Sequence, residues 1–165
     1  MTSPRLQLAL AALLFSTGGA AIKYADLTGW QIASIRSGFA ALAVFVLIPA
    51  ARRHLSARAF GVGLLYAVTL VTFVLATRLT TSANAIYLQS TAPLYLLLLA
   101  PWLLREPLTR RDVPVLLAVL GGLVLVFLGN DAPSVTAPDP VRGNVLAVTS
   151  GVCYALMLLG LRWLG

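Results

Sequence analysis

The sequence predicts an all-α polytopic membrane protein with six transmembrane helices. Of its 165 residues, 59% are hydrophobic and 10% are charged, whereas an average soluble domain has about 25% charged residues. Because a soluble chain of this length cannot bury so much apolar surface, we expect the lipid bilayer to cover it. Six apolar stretches each approach the roughly 20 residues that a helix needs to cross a bilayer; they lie at about residues 6–24, 30–50, 60–78, 82–104, 113–129 and 143–164.

Basic residues lie mainly in the short segments between these stretches. If the N-terminus is inside, eight of the twelve Lys and Arg residues fall in inner segments, and three, Lys23, Arg78 and Arg142, fall in outer ones. The positive-inside rule therefore predicts a cytoplasmic N-terminus. Eleven of the twelve basic residues are Arg, which is a weak hint of a GC-rich bacterial genome and nothing more. The expected location is the inner membrane of a bacterium. The net charge of +7 is explained by the inner segments, and no nucleic-acid partner is expected.

The first stretch has some features of a secretory signal, since Arg5 precedes an apolar run that ends in small residues. It is longer than a typical signal core and five more stretches follow it, so we interpret it as a transmembrane helix. On one face of this helix, Ser16 lies together with Ala12, Gly19 and Lys23. Small residues at this spacing are typical of close helix packing.

The second stretch contains a charge, Arg36, about six residues from Trp30 at its outer end. At about 1.5 Å per residue, Arg36 is roughly 9 Å deep. A charge at the centre of a single span costs about 2.5–3.5 kcal/mol on insertion scales. Arg36 either extends outward to the interface or faces a cavity, where it would attract a carboxylate; we favour the cavity or a packing role.

The fourth stretch has a polar first half and contains Pro93, which removes one helical hydrogen bond and predicts a kink. At 3.6 residues per turn, Asn84, Tyr87 and Thr91 share one side with Tyr95. Such a face is unfavourable against acyl chains. We expect it to line a small-molecule passage, or alternatively to form hydrogen bonds with neighbouring helices.

Two further stretches carry faces with more than one interpretation. In the third, Tyr66 and Phe73 share a face with two threonines, which suits either helix packing or contact with an aromatic substrate. In the fifth, Gly121 and Gly122 are interpreted as packing residues.

A weak internal repeat relates the sixth stretch to the first at an offset of about 139 residues. Five spans is an odd number, so a second copy must enter the membrane from the opposite side, as in the inverted repeats of many secondary transporters. We therefore divide the chain into a first five-helix repeat at 1–130, an external linker at 131–142 and the first helix of a second repeat at 143–165. The complete protein would have about ten spans, unless another copy in a homodimer supplies the missing half.

Several short motifs in the chain are similar to motifs of one known family. They are the basic end of the first span, Ala20-Ala21-Ile22-Lys23, Ile35-Arg36 in the second, Pro93 in the fourth, the segment Leu104-Arg105-Glu106-Pro107-Leu108-Thr109 and the run Gly121-Gly122-Leu123-Val124-Leu125. With these motifs the chain resembles the EamA-type repeat of the drug/metabolite transporter superfamily over nearly all of residues 6–164. The resemblance implies ten spans in two inverted five-helix repeats and movement of small metabolites, often outward.

The predicted function is a permease that exports a small metabolite, amino-acid-like or drug-like, by alternating access. Predicted substrate contacts are hydrogen bonds from Ser16, Asn84 and Thr91, aromatic contacts from Tyr66, Phe73 and Tyr87, and a counter-charge from Arg36. No acidic residue lies inside a span, and no nucleophile–base pair or metal-ligand cluster is evident. We therefore expect no enzyme activity, metal or cofactor. The alternatives are a non-transporting accessory or scaffold subunit, and a nucleotide-sugar or lipid-linked-sugar carrier of the same superfamily.

Overall fold

A computed structural model of the chain describes residues 4–47, 56–103, 110, 112–129 and 132–164. These residues form seven helices: α1 (Pro4–Tyr24), α2 (Gly29–Leu47), α3 (Ala57–Leu79), α4 (Ser82–Gln89), α5 (Ala92–Leu103), α6 (Asp112–Leu128) and α7 (Pro140–Leu164). The all-helical architecture expected from the sequence is confirmed. The motif at 104–109 lies outside the described residues.

Four helices of the described chain, α1, α2, α3 and α7, are long and apolar enough to cross a membrane. The other two predicted spans are shorter. The fourth is divided between α4 and α5, and α6 is an apolar helix of 17 residues. The structure thus accounts for a protein with several membrane-spanning helices, while the number six stays a prediction.

The division of the fourth span lies at Ser90 and Thr91. Thr91 donates from its Oγ1 to the carbonyl of Leu88 at 2.6 Å, and the carbonyl of Thr91 accepts from the amide of Leu94 at 2.8 Å. Pro93 is the second residue of α5. An amide in the first turn has no partner within its own helix, so the missing N–H of proline costs little there. The chain therefore accommodates Pro93 by starting a new helix.

Helices α3 and α7 pack antiparallel along their whole length and form the centre of the fold. Gly143 at the start of α7 lies against Thr80 just after α3. Near the other ends, the guanidinium of Arg58 stacks 4.5 Å from the ring centroid of Trp163. Among the apolar segments of the four long helices, that of α7 is the most buried and that of α2 the least.

Helix α1 runs in the same direction as α3 and opposite to α7. The ammonium of Lys23, near the end of α1, donates to the carbonyl of Thr80 at 2.9 Å and to that of Thr136. The end of α1, the end of α3 and the segment before α7 therefore lie together, and we call this side of the bundle the loop end. The sequence places Lys23, Arg78 and Arg142 in outer segments, and all three lie at or next to the loop end.

The segment before α7 is an ordered turn. Ser134 and Ala137 pair with each other through their backbones, and the amide of Asp139 donates to the carbonyl of Leu79 at 3.1 Å. Helix α7 begins at Pro140, inside the segment that the sequence assigns to an exposed linker. The hydrogen bond between Asp139 and Leu79 attaches this segment to the end of α3, which explains why the segment is ordered.

Candidate functional site

A cleft of about 280 Å³ lies between α1 and α2 near the loop end. The two helices meet where Ile22 of α1 and Ala33 of α2 pack with Val74 of α3 in a buried cluster. Most of the cleft lining is apolar, and Arg36 is the one charged side chain among the lining residues, which are Gly18, Ala21, Ile22, Ala25, Leu27, Ile32, Ile35 and Arg36. The sequence pointed to Arg36, and the structure supplies the cleft around it.

Arg36 is partly buried in this cleft. Within the described part of the chain, its guanidinium has no hydrogen-bond or ion-pair partner. A guanidinium carries five N–H donors in a planar arrangement that matches a carboxylate. Because a charge in an apolar setting is unfavourable without a partner, this side chain can bind an anion that enters the cleft.

Next to the cleft, Arg78 holds the connection between α1 and α2. Its guanidinium donates to the carbonyl of Ala25 at 2.6 Å and to that of Leu27, and both residues line the cleft. A cation at the carboxyl end of a helix also interacts favourably with the helix dipole. Arg78 therefore fixes the rim of the cleft and adds a second positive charge beside it.

A polar seam joins α7 to α3 and α4. The side chain of Gln89 donates to the hydroxyl of Ser150 at 2.9 Å, and this hydroxyl donates to the carbonyl of Thr69 at 2.9 Å. Closer to the loop end, the hydroxyl of Thr80 donates to the side-chain oxygen of Asn144 at 2.8 Å. Interhelical hydrogen bonds of this kind stabilise helix association in a bilayer. The seam fixes α7 against the divided fourth span.

This seam was not predicted from the sequence. Its one available signal was the presence of polar residues inside the apolar stretches, and Asn144, Ser150 and Gln89 all fit that description. Hydrogen-bond partners that lie 61 to 81 residues apart in the chain cannot be paired from helical periodicity alone.

Glycines permit the close approach along α7. A Cβ atom at Gly151 would lie 3.0 Å from the carbonyl oxygen of Leu88 and 3.3 Å from that of Gln89. These carbonyls belong to the last turn of α4, where helical partners are lacking. Gly151 therefore lets α7 pack directly on the end of α4.

The seven predicted substrate contacts do not share one cavity in the described residues. Arg36 lines the cleft, and the other six side chains lie elsewhere. Thr91 is buried at the division of the fourth span, Tyr87 packs its hydroxyl over Gly122 of α6, and Phe73 packs beside both buried clusters.

The remaining three contacts lie on helix surfaces. Ser16 and Tyr66 are exposed on α1 and α3, and Asn84 is partly buried in the first turn of α4. The hydroxyl of Ser16 donates to the carbonyl of Leu13 at 2.8 Å within its own helix. These positions are accessible, but nothing in the described structure joins them to the cleft.

Comparison with known proteins identifies a family. A model of the EamA-like transporter family matches residues 4–128, which include α1 to α6. No curated protein and no solved structure matches the chain. The described residues also contain no group of three or more His, Cys, Asp or Glu side chains placed to hold a metal ion.

Proposed function

The chain belongs to the EamA-like transporter family, and we propose that it is a permease that exports a small metabolite by alternating access. The observation that carries this proposal is the α1–α2 cleft with Arg36 unpaired in its wall. An apolar pocket with a few well-placed polar groups is the usual form of a small-molecule site. Arg36 serves as the counter-charge for the substrate.

The direction of α7 supports an inverted second repeat. Helix α7 runs opposite to α1, as the first helix of an inverted copy must, and it lies outside the part of the chain that matches the family. The substrate would bind where the two repeats meet. A complete protein of about ten spans would place the second repeat against the surfaces of α1 and α3 that carry Ser16 and Tyr66.

The other predicted contacts have separate roles in this proposal. Asn84 and Tyr87 on α4 would contact the substrate along the passage, and Phe73 would supply an apolar wall. Thr91 and Pro93 lie at the division of the fourth span, where backbone rearrangement is easiest because the helical hydrogen bonds are already interrupted. The protein would lie in the bacterial inner membrane with its N-terminus in the cytoplasm.

If the chain were a non-transporting accessory or scaffold subunit, helix packing should occlude all of its polar faces. Thr69 and Thr77 of α3 are indeed buried. Arg36 is the contrary case, because it remains without a partner in the described chain and faces a cleft. This contrast favours the permease.

Transport is tested in proteoliposomes that contain the full chain, loaded with radiolabelled leucine, phenylalanine and 4-methyl-2-oxopentanoate. We expect release of at least one compound to be faster than from protein-free vesicles. Arg36→Ala should reduce that release on the order of ten- to hundredfold, since a hydrogen bond to a charged group contributes about 1.5–3 kcal/mol. Membrane insertion should be unchanged. Equal release from both proteins, or none above protein-free vesicles, would refute the proposal.

A further inference from the structure

The cleft between α1 and α2 has a lining that distinguishes among charged ligands. Its side chains are aliphatic apart from one guanidinium, and none of the described lining residues is acidic. The carbonyls of Ala25 and Leu27 at its rim already accept hydrogen bonds from Arg78. A ligand ammonium would therefore meet a repelling cation and no acidic side chain among the described lining residues.

We propose that the cleft binds an aliphatic monocarboxylate without an ammonium group, in preference to the zwitterionic amino acid of the same shape. This inference rests on the proposed function for the use of the site in transport. The carboxylate forms paired hydrogen bonds with Arg36, and the hydrocarbon body lies against the aliphatic side chains, among them Ile22, Ile32 and Ile35.

Size and charge both support this ligand. Drug-sized ligands occupy sites of about 300–1,000 Å³, so a cleft of about 280 Å³ suits a compact molecule. Charge-assisted paired bonds between guanidinium and carboxylate are among the stronger hydrogen bonds in proteins. Arg78 adds a second positive charge beside the cleft, and the exposed Asp26, between Ala25 and Leu27, lies in the connection that Arg78 binds. Arg36 is therefore the group inside the cleft that selects an anion. An unpaired ammonium in the same place would lose its hydration without a replacement.

The test is equilibrium binding to the purified full chain in detergent, where no gradient is needed. The probes are 4-methyl-2-oxopentanoate, leucine and leucine amide, which share one hydrocarbon body and carry a net charge of about −1, 0 and +1 at neutral pH. We expect binding to weaken in that order, with the oxo acid at least about tenfold tighter than leucine.

Variants locate the effect in the cleft. Arg36→Gln should remove the preference for the oxo acid, and Arg36→Lys should keep part of it, because a lysine retains the charge but not the paired geometry. Ala21→Phe should weaken the binding of all three probes, because the larger side chain would fill the cleft. Arg142→Gln is the control, because Arg142 pairs with Asp139 and its side chain is 82% exposed. Thermal unfolding of each variant shows that it is folded.

The outcomes separate this inference from the proposed function. Leucine binding as tightly as the oxo acid, no binding of the oxo acid, or a preference that survives Arg36→Gln would overturn the inference. Selective binding without transport in proteoliposomes would overturn the permease and leave the inference standing. Transport of leucine in preference to the oxo acid would overturn the inference and leave the permease standing.

Discussion

Replacing Gly143 with alanine tests the central packing of the fold. A Cβ atom there would lie 2.6 Å from both the backbone nitrogen and the Cβ of Thr80, and 2.9 Å from the carbonyl carbon of Leu79. Two of these three atoms are backbone, so they cannot move aside as the end of a flexible side chain would. Overpacking of this kind costs about 1–3 kcal/mol. The neighbouring hydrogen bond between Thr80 and Asn144 would also be displaced.

An opposing effect must be included. Alanine is favoured over glycine inside a helix by up to about 1 kcal/mol, and the gain is smaller in the first turn of α7, where Gly143 lies. We therefore expect Gly143→Ala to lower the free energy of unfolding by about 1–2 kcal/mol. Equilibrium unfolding of the purified chain in mixed detergent micelles, followed by circular dichroism, measures this change.

The matched control is Gly63→Ala in α3. A Cβ atom at Gly63 would meet nothing within 4 Å, so the substitution should be neutral or should stabilise by up to about 1 kcal/mol through helix propensity alone. If Gly143→Ala and Gly63→Ala unfold at the same denaturant concentration, α7 does not pack against the end of α3 and the reasoning is refuted.

Three further substitutions test other contacts. Ser150→Ala removes the link between Gln89 and Thr69 and should lower the free energy of unfolding by about 0.6–1.7 kcal/mol, the range for polar contacts in a membrane bundle. Arg58→Gln removes the stacking on Trp163 and should cost about 0.5–1 kcal/mol, measured by the same unfolding assay. Thr91→Cys should resist a thiol reagent dissolved in the lipid phase, because Thr91 is 2% exposed.

Each of these substitutions has a control on an exposed surface. Ser34→Ala on α2 should leave the stability unchanged, and a loss equal to that of Ser150→Ala would contradict the seam. Arg142→Gln should cost less than Arg58→Gln, since exposed ion pairs contribute little; the opposite order would argue against the stacking. Phe39→Cys, at a position 70% exposed, should react readily with the lipid-phase reagent, and equal reaction at position 91 would show that the fourth span faces acyl chains.

Hydropathy predicted the helices well because each apolar stretch must satisfy its own backbone hydrogen bonds in lipid. The fourth span shows the limit of this reasoning. Pro93 signalled a disturbance, but a kink and a full division have the same local sequence. Whether a new helix starts depends on partners such as Gly151, which approaches the end of α4 from another part of the chain.

The site was harder to predict than the helices. Arg36 was identified because a charge inside an apolar stretch is costly. Its cleft was not, since that cleft arises where α1 and α2 meet at Val74 and this depends on tertiary packing. Tyr87 shows a similar limit, because periodicity placed it on a shared polar face but could not predict that its hydroxyl packs over Gly122 of α6.

The hydrogen bonds of Lys23 and Arg78 at the loop end also constrain how the bundle can move. Lys23 fastens α1 to the end of α3 and to the turn before α7, and Arg78 fastens α3 to the connection between α1 and α2. If the helices rock against one another, these attachments predict the smallest displacement at the loop end and larger displacement towards Pro4, Leu47 and Leu164. The opposite ends of α3 and α7 are held together by the stacking of Arg58 on Trp163, so such a motion would have to break this stacking.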